Sequence, residues 1–319
     1  MRIRGMSRQV GVRWLGVGVA AFLTAFAPLH GQRTLGGGAW NGSGDSTTVI
    51  MLGTGMPAPN PERSGPSTAI VVGRRVFIFD AGPGVERRVA AAGLPIDGPT
   101  ALFLTHLHSD HTLGLPDLIF TSWVMGRSTP LRVLGPPGTK AMIDHLSAAW
   151  AEDIDIRTNG LEHGRPGGHR VDAREISAGV VYDSAGVKIT AIPVPHGSWK
   201  YAFGYRIDTP RKSVVISGDT RYSPELANAA AQADVLIHEV YASARLEAEQ
   251  RPGGSTWPQY MKSFHASDIE VGRVAAKAKV KLLVLYHIVG AFTPEELTNG
   301  VRRGGYRGRV VIANDLDHY

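Results

Sequence analysis

A dense group of histidines after one apolar run constrains this chain more than any other feature. Residues 106–111 read His-Leu-His-Ser-Asp-His and directly follow the run 101–105, Ala-Leu-Phe-Leu-Thr. Such a run is typical of a buried strand that opens into a loop at a sheet edge. Isolated imidazoles are common, but this density favours bound metal over a polar loop with coincidental histidines. His106 and His108 can share one face of the extended segment. Asp110 and His111 can turn toward a second ion about 3.5 to 4 Å away.

The absence of cysteine narrows the chemistry of such a site. The 319 residues include no cysteine, which excludes both disulfides and thiolate ligands. Any metal must therefore be held by histidine, aspartate, glutamate or water. Nitrogen and oxygen ligands of this kind suit a hydrolytic zinc site, although manganese or iron would accept the same ligands.

The amino-terminal segment has the order of a secretory signal peptide. Arginines at positions 2, 4, 8 and 13 precede an apolar stretch from Trp14 to Leu29, and small residues follow. We therefore expect a signal peptide over residues 1–31, a flexible lead-in over 32–46 and one folded domain over 47–319. This predicts a periplasmic or secreted protein with no stable membrane span after signal removal. An uncleaved amino-terminal anchor is the alternative.

The charge of the predicted mature chain is close to neutral. The formal net charge is +6, from 34 basic and 28 acidic residues, and residues 1–31 hold four of the arginines and no acid. No dense run of lysine and arginine follows residue 33, whereas nucleic-acid-binding domains usually show a basic stripe. The sequence therefore predicts a small anionic ester as the partner and makes nucleic acid unlikely. A homodimer is compatible with it.

Runs of strand type interleaved with helical runs indicate an α/β fold. We expect two sheets packed face to face with helices outside, a four-layer αβ/βα sandwich whose first part is an antiparallel meander. Residues 152–170 break the regularity and are expected to be irregular. The predicted strands cover Thr48 to Leu52, Thr68 to Val72, Val76 to Asp80, Ala101 to Thr105, Leu131 to Leu134, Val187 to Val194, Tyr201 to Ile207, Ser213 to Ser217, Val235 to His238 and Lys281 to Tyr286. The predicted helices cover Val85 to Ala92, Leu115 to Trp123, Gly138 to Trp150 and a segment just after His265 that opens with the capping box Ser267 to Glu270.

Further polar residues stand at the ends of other predicted strands. His196 follows the run ending at Pro195, Asp219 follows Val214 to Gly218, and His287 follows Leu282 to Tyr286. Strand ends on one edge of a sheet converge in space, so ligands distant in sequence can build one site.

These motifs together resemble the metallo-β-lactamase-fold hydrolases. The resemblance rests on the H-x-H-x-D-H motif, His196-Gly197, Ser217 to Thr220 and the late His287. Further motifs resemble the ribonuclease Z branch, which also includes zinc arylsulfatases and phosphodiesterases. These are Leu52 to Gly55 with the proline-rich segment Pro57 to Pro66, Phe79 to Gly82, and His238-Glu239. The similarity runs from about residue 48 to residue 315, in the order of the family.

The resemblance implies a site with two zinc ions. It assigns His106, His108 and His196 to one ion and Asp110, His111 and His287 to the other, with Asp219 between them. A shared water would be acidified toward hydroxide and attack the ester.

The same resemblance implies roles for the residues around the metals. Asp110 and His265 are taken as catalytic, with His265 as the general acid that protonates the leaving group. His238 and Glu239 would orient His265, although a structural hydrogen bond explains them equally well. Asp80 would brace a ligand, or merely cap the turn before Gly82.

One segment separates the chain from the ribonuclease Z pattern. In that family an arm that grips tRNA is inserted before the strand leading to the bridging aspartate, whereas here Tyr205 to Ser213 joins the strands with only a turn. With the export signal and the nearly neutral charge, this favours an exported dinuclear zinc hydrolase of a small phosphodiester or sulfate ester. The alternatives are a ribonuclease Z-type tRNA 3′-processing endonuclease, a lactam hydrolase and a zinc-binding scaffold without activity.

Overall fold

Two β-sheets form the centre of the protein in the computed structural model, which describes residues 46–246 and 256–319. The predicted signal peptide and nearly all of the predicted lead-in lie outside the described residues, and both stay predictions. The first sheet has the order β1-β2-β3-β4-β5-β6, with strands β1 (Thr47–Gly53), β2 (Ser67–Val72), β3 (Arg75–Phe79), β4 (Ala101–Phe103), β5 (Leu131–Gly135) and β6 (Val171–Glu175). The second has the order β13-β12-β11-β10-β9-β8-β7, with β7 (Gly179–Ser184), β8 (Val187–Pro193), β9 (Phe203–Asp208), β10 (Ser213–Ile216), β11 (Val235–Val240), β12 (Leu282–Ile288) and β13 (Arg309–Ile312).

Helices connect the parallel strands and cover the outer faces of the sheets. In the described residues they are α1 (Val85–Ala91), α2 (Ser109–Thr112), α3 (Leu115–Val124), α4 (Thr139–Ala149), α5 (Ala151–Asn159), α6 (Pro224–Ala229), α7 (Trp257–Phe264), α8 (Asp268–Ala278) and α9 (Pro294–Arg303). None of these described helices combines the length and apolar character that crossing a bilayer requires.

In each sheet the strand pairing changes once from antiparallel to parallel, and this change fixes where a site can form. Strands β1 to β3 pair antiparallel, which confirms the predicted meander, and β3 to β6 pair parallel. In the second sheet β7 to β10 pair antiparallel and β10 to β13 pair parallel. The carboxyl ends of parallel neighbours lie at one edge, where loops gather polar groups.

Alternating side chains divide the apolar residues into layers. Phe77 and Phe103 from the first sheet pack with Tyr205 and Ile237 of the second to form a central core between the sheets. The opposite face of the first sheet packs against α1, α3 and α4, and that of the second against α6, α8 and α9. The predicted four-layer αβ/βα sandwich is therefore confirmed.

Local sequence signals predicted the start of α8 correctly and missed α5. The predicted capping box is present at α8, where the Ser267 hydroxyl accepts from the Glu270 amide and the Glu270 carboxylate accepts from the Ser267 amide. The prediction that residues 152–170 are irregular is wrong, because α5 covers Ala151–Asn159. None of its residues is buried, so it carries no apolar stripe to read from sequence.

Candidate metal centre

All seven predicted ligands lie together at the adjoining edges of the two sheets. They fall into two groups, and the ligand atoms within each group lie within 4.8 Å of one another. The loop after β4 and helix α2 supply four of them, and the ends of β8, β10 and β12 supply the rest. The first group is His106, His108, His196 and Asp219, and the second is Asp110, His111 and His287.

The first group brings three imidazole nitrogens to one point. His106 Nε2 lies 2.9 Å from His108 Nδ1, and His196 Nε2 lies 3.1 Å from the same atom. Asp219 Oδ2 is 3.9 Å from both His106 Nε2 and His196 Nε2. This arrangement offers three nitrogens and one carboxylate oxygen to a single cation.

The second group surrounds the other side of the same aspartate. Asp219 Oδ1 lies 3.3 Å from His111 Nε2, and Asp219 Oδ2 lies 3.2 Å from His287 Nε2. Asp110 Oδ2 is 3.6 Å from His111 Nε2 and 3.8 Å from His287 Nε2. Asp219 therefore contacts both groups.

Three atoms of this cluster lack any other partner. Asp110 Oδ2, His111 Nε2 and Asp219 Oδ1 are buried with no hydrogen bond to any described residue. Buried polar atoms are almost always paired, because leaving one unpaired costs about 1 to 3 kcal/mol. A divalent cation between them would satisfy all three, and imidazole and carboxylate donors suit such an ion. The residues present thus fit a divalent metal.

Four ligand imidazoles are anchored by an acceptor at the nitrogen that faces away from the cluster. His196 Nδ1 donates to the Phe264 carbonyl at 2.7 Å, and His287 Nδ1 donates to the Gly55 carbonyl at 2.7 Å. His111 Nδ1 lies 2.8 Å from Asp80 Oδ2. An acceptor there fixes the proton on Nδ1 and leaves the Nε2 lone pair for a metal.

The fourth anchor runs through a hydroxyl. Thr105 Oγ1 donates to the Asp80 carboxylate, 2.8 Å from Oδ2, and therefore accepts from His106 Nδ1 at 2.9 Å. Asp80 also accepts from the Thr105 amide at 2.8 Å. The Asp80 carboxylate thus contacts His111 of the second group directly and His106 of the first group through Thr105, and its bracing role stays a prediction.

His108 differs from the other four, because its outer nitrogen meets a donor. Trp199 Nε1 donates to His108 Nε2 at 2.7 Å. The indole N–H cannot accept a hydrogen bond, so Nε2 must be the acceptor and the neutral ring carries its proton on Nδ1. Nδ1 is the atom that faces the cluster, so metal binding requires this proton to leave and the contact with Trp199 to change.

Electrostatics divide the histidines in the same way as the geometry. Burial lowers the pKa of His106 well below its ordinary value, and burial lowers the pKa of His196 to about 4. Burial opposes charge on His287 too, but the Asp219 carboxylate outweighs it and raises the pKa to about 9. His111 follows the same pattern, since Asp219 and Asp80 raise its pKa well above the ordinary value despite burial. Positive charge is therefore favoured around Asp219, where a cation would replace the protons.

Of the residues predicted to support His265, the structure brings only one to it. Glu239 Oε2 lies 3.3 Å from His265 Nδ1, while Glu239 Oε1 accepts from the Ala266 amide at 2.9 Å. The neighbouring His238 points to the helix-covered face of β11, where its Nδ1 donates to the Glu239 carbonyl at 2.7 Å. Successive side chains on a strand alternate in direction, so His238 does not orient His265.

Two cavities open beside the metal groups. One of about 570 Å³ is lined by His108, Asp219, His265, His287 and residues of α7. The other, also of about 570 Å³, lies along the proline-rich segment after β1. Both are lined by Met56, Pro57, Ala58, Ser109 and Asp110. The two cavities therefore share part of their wall, which includes Asp110 of the second group.

Sequence reasoning missed Trp199, Thr105 and the two carbonyl anchors. No sequence motif marks a backbone carbonyl that will accept a hydrogen bond from a metal ligand, because every residue carries the same carbonyl group. Thr105 did stand next to the motif as the last residue of the β4 run. Trp199 lies three residues after His196 and had no signal of its own.

Comparison with known proteins matches this arrangement to one family. The model of the family described as beta-lactamase superfamily domain matches residues 75–288. Ribonuclease Z of Mycobacterium marinum is 35% identical over 278 residues, which cover 84% of this chain and 96% of that protein. Among solved structures, the short form of human tRNase Z has a TM-score of 0.64 at 19% identity, covering 85% of this chain and 98% of its own. YhfI of Bacillus subtilis, a metallo-beta-lactamase fold protein, has a TM-score of 0.65 at 19% identity, covering 86% and 99%.

Proposed function

The chain belongs to the β-lactamase superfamily and to its ribonuclease Z family, and on that premise we propose that it is a metal-dependent ribonuclease that processes the 3′ end of precursor tRNA. The observation that carries the proposal is the alignment with ribonuclease Z, which takes in 96% of the relative's length. The coarser statement, a metal-dependent hydrolase, follows from the family together with the histidine and aspartate cluster.

The prediction that nucleic acid is an unlikely partner is wrong, because the curated relatives are ribonucleases. It relied on a missing arm between β9 and β10, and those strands are indeed joined by the short segment from Thr209 to Lys212. Yet the alignment leaves only 4% of the relative uncovered, so this turn does not separate the chain from the relatives that bear the name. A neutral overall charge was equally weak as an exclusion, since affinity for a backbone depends on local charge.

The space beside the metal groups supports a polymeric substrate over a small ester. Two cavities of about 570 Å³ each are both lined by Asp110. A single pocket of that size already encloses a drug-sized molecule, so the two cavities together offer more room than a small ester needs.

We assign the metal ligands as the sequence predicted, with two zinc ions. His106, His108 and His196 would hold one, Asp110, His111 and His287 the other, and Asp219 would contact both. Bound there, the ions would acidify a water and neutralise charge on the phosphate oxygens. Metal analysis of the full chain should find two zinc ions per chain, and Asp219→Asn should lower the occupancy of both sites. One ion per chain in the unaltered protein would contradict the assignment.

We propose that His265 protonates the leaving group. It lines the cavity beside Asp219, and Glu239 Oε2 beside its Nδ1 favours a proton on that nitrogen. The Nε2 proton of the protonated ring would then pass to the leaving oxygen. Backbone amides of Thr220 and Ala266 hold the Glu239 carboxylate in place.

The test compares substrates on the full chain loaded with zinc. We expect cleavage of precursor tRNA at one position near its 3′ end, with little turnover of bis-aryl phosphate, aryl sulfate or a lactam. His265→Ala should lower the cleavage rate by about 100-fold or more while zinc content is retained. His145→Ala on the exposed face of α4 is the matched control and should leave the rate unchanged. Intact precursor tRNA beside rapid aryl ester hydrolysis would overturn the proposal.

Export is a separate proposal that rests on residues 1–31 alone, and it competes with tRNA processing in the cell because precursor tRNA is made in the cytoplasm. Cell fractionation followed by amino-terminal sequencing should find the chain outside the cytoplasm and shortened by about the length of a signal peptide. A full-length chain in the cytoplasm would contradict export and leave the ribonuclease proposal intact.

A further inference from the structure

His287 lies at an irregularity of strand β12. Tyr286 and Ile288 pair with two successive residues of β11, so His287 between them is the extra residue of a β-bulge. Its backbone φ is 42°, in the left-handed region that residues other than glycine adopt only where their surroundings hold them. The position of this metal-ligand candidate is therefore set by contacts outside the pairing of β12 with β11.

The turn after β1 supplies two of those contacts. The Thr54 carbonyl accepts from the His287 amide at 3.2 Å, and the Gly55 carbonyl accepts from His287 Nδ1 at 2.7 Å. The first contact places the backbone of the bulge. The second fixes the proton on Nδ1 and leaves Nε2 for a metal. The direction of the His287 ring therefore depends on where Thr54 and Gly55 lie.

The Asp315 carboxylate holds this turn from the segment that follows β13. Asp315 Oδ1 accepts from the Thr54 amide at 2.9 Å and from the Thr54 hydroxyl at 2.7 Å. Asp315 Oδ2 accepts from the Ser64 amide at 2.7 Å and lies 3.0 Å from Arg88 Nε. The Asp315 side chain is only 3% exposed. Hydrogen bonds to an ionised acceptor are about twice as strong as neutral ones, so this carboxylate is a firm support.

The same carboxylate holds the loop over residues 55–63 at both of its ends. Thr54 and Ser64 flank this loop, and the Gly55 amide donates to the Ser64 carbonyl at 2.8 Å. A Cβ at Gly55 would lie 2.7 Å from that carbonyl oxygen, so the two ends are packed directly against each other. Asp315 therefore fixes the Gly55 carbonyl through the residue before it and through the residue it packs on.

Resting on the two-zinc site proposed above, we infer that Asp315 is a positioning residue of the second group, which holds the turn after β1 where it directs His287 Nε2 at the metal. The other three anchored ligands meet acceptors outside this turn, so Asp315 acts on one ligand only. Its removal weakens the ion that His287 binds and spares the ion held by the first group.

The experiment titrates zinc into the full chain in competition with a chromophoric chelator. Asp315→Ala should weaken one of the two zinc ions by about tenfold and leave the other unchanged. In a His287→Ala background, Asp315→Ala should cause no further loss, because the ligand through which it acts is gone. Asp315→Asn keeps one acceptor oxygen and should weaken the same ion by about threefold. It replaces Asp315→Ala throughout if that variant does not fold.

Asp234→Ala is the matched control. The Asp234 carboxylate also accepts from a backbone amide and a hydroxyl, both of Ser213, and pairs with the cation of Lys281. It precedes β11, however, at the end of that strand away from the metal groups. Asp234→Ala should lower the free energy of unfolding in urea and leave both zinc affinities unchanged.

Three outcomes would contradict the inference. Equal weakening of both ions by Asp315→Ala, or a further loss in the His287→Ala background, would mean that Asp315 supports the fold as a whole. Unchanged affinity for both ions in a folded Asp315 variant would overturn the inference while the two-zinc site stands. A single zinc ion in the unaltered chain would overturn the two-zinc site, and the role of Asp315 with it.

Discussion

Four ligand imidazoles and His108 differ in what holds the nitrogen that points away from the cluster. His106, His111, His196 and His287 each meet an acceptor there, and Nε2 faces inward. His108 meets the indole N–H of Trp199, and its Nδ1 faces inward. An acceptor fixes the tautomer that a metal needs, whereas a donor fixes the opposite one.

The difference indicates that four ligands are prepared for metal and one must rearrange. Prepared ligands contribute affinity because their tautomer and ring orientation cost nothing further on binding. His108 must shift its proton and lose the contact with Trp199 when a metal binds. The occupancy of the first group should therefore depend on what happens at Trp199.

The largest effect should come from removing the anchor that serves both groups. In Asp80→Asn, the amide keeps the shape of the side chain but loses one acceptor oxygen and the negative charge that holds His111 and Thr105. We expect zinc affinity to fall by about 10- to 100-fold, measured by competition with a chromophoric chelator. Asp172→Asn, on the partly exposed strand β6, is the matched control. Unchanged affinity in Asp80→Asn would show that this anchoring contributes nothing to zinc binding.

A smaller effect of opposite sign should follow at His108. Trp199→Phe keeps a ring but removes the N–H. The His108 tautomer with its proton on Nε2, which leaves Nδ1 for the metal, is then no longer opposed. We expect zinc affinity to rise by about fivefold, corresponding to about 1 kcal/mol. Zinc should also change the tryptophan emission of the unaltered protein, and this change should be absent in Trp199→Phe. Weaker zinc binding in Trp199→Phe would show that the indole supports the bound state instead.

A third effect, on folding rather than on metal binding, concerns a buried carboxylate that lacks the partners Asp80 has. Both oxygens of Glu86 are buried without a hydrogen bond to any described residue, and burial raises the pKa of Glu86 from 4.5 to about 8. The folded-state pKa of Glu86 lies above the unfolded one. The contribution of this group to folding stability is therefore fully present below about pH 4.5 and is lost as the pH rises through about 8.

Glu86→Gln should therefore be more stable than the unaltered chain at pH 8, by about 1 to 2 kcal/mol in the free energy of unfolding, and nearly equal to it at pH 5. Urea denaturation at both pH values measures this, and the difference between the two proteins cancels the titration of the histidines. A Glu86→Gln variant that is less stable at pH 8 would mean that the Glu86 carboxylate has an ionic partner in solution.

Much of the fold was predictable because many of its strands can be recognised from their own residue pattern. Strands such as β2, whose residues are all buried, are continuous apolar runs bounded by turn residues. Strand β7, with a mostly exposed pattern, and the helix α5, with none of its residues buried, gave no comparable signal. Both are held by neighbours rather than by an apolar face of their own.

The site divides along a similar line. Its ligands are chemically distinctive side chains at strand ends, so sequence predicted the set that the structure brings together. The anchors depend on tertiary contacts across long separations, as between His287 and the Gly55 carbonyl, 232 residues apart. The face of the sheet on which His238 lies depends on the alternation along β11. A shift of one residue in the assumed alternation places it on the other face.

The most direct measurement is cleavage of precursor tRNA by the full chain before and after metal removal. We expect a single cut near the 3′ end that chelation abolishes and added zinc restores. Precursor tRNA that stays intact in the presence of fully zinc-loaded protein would contradict it.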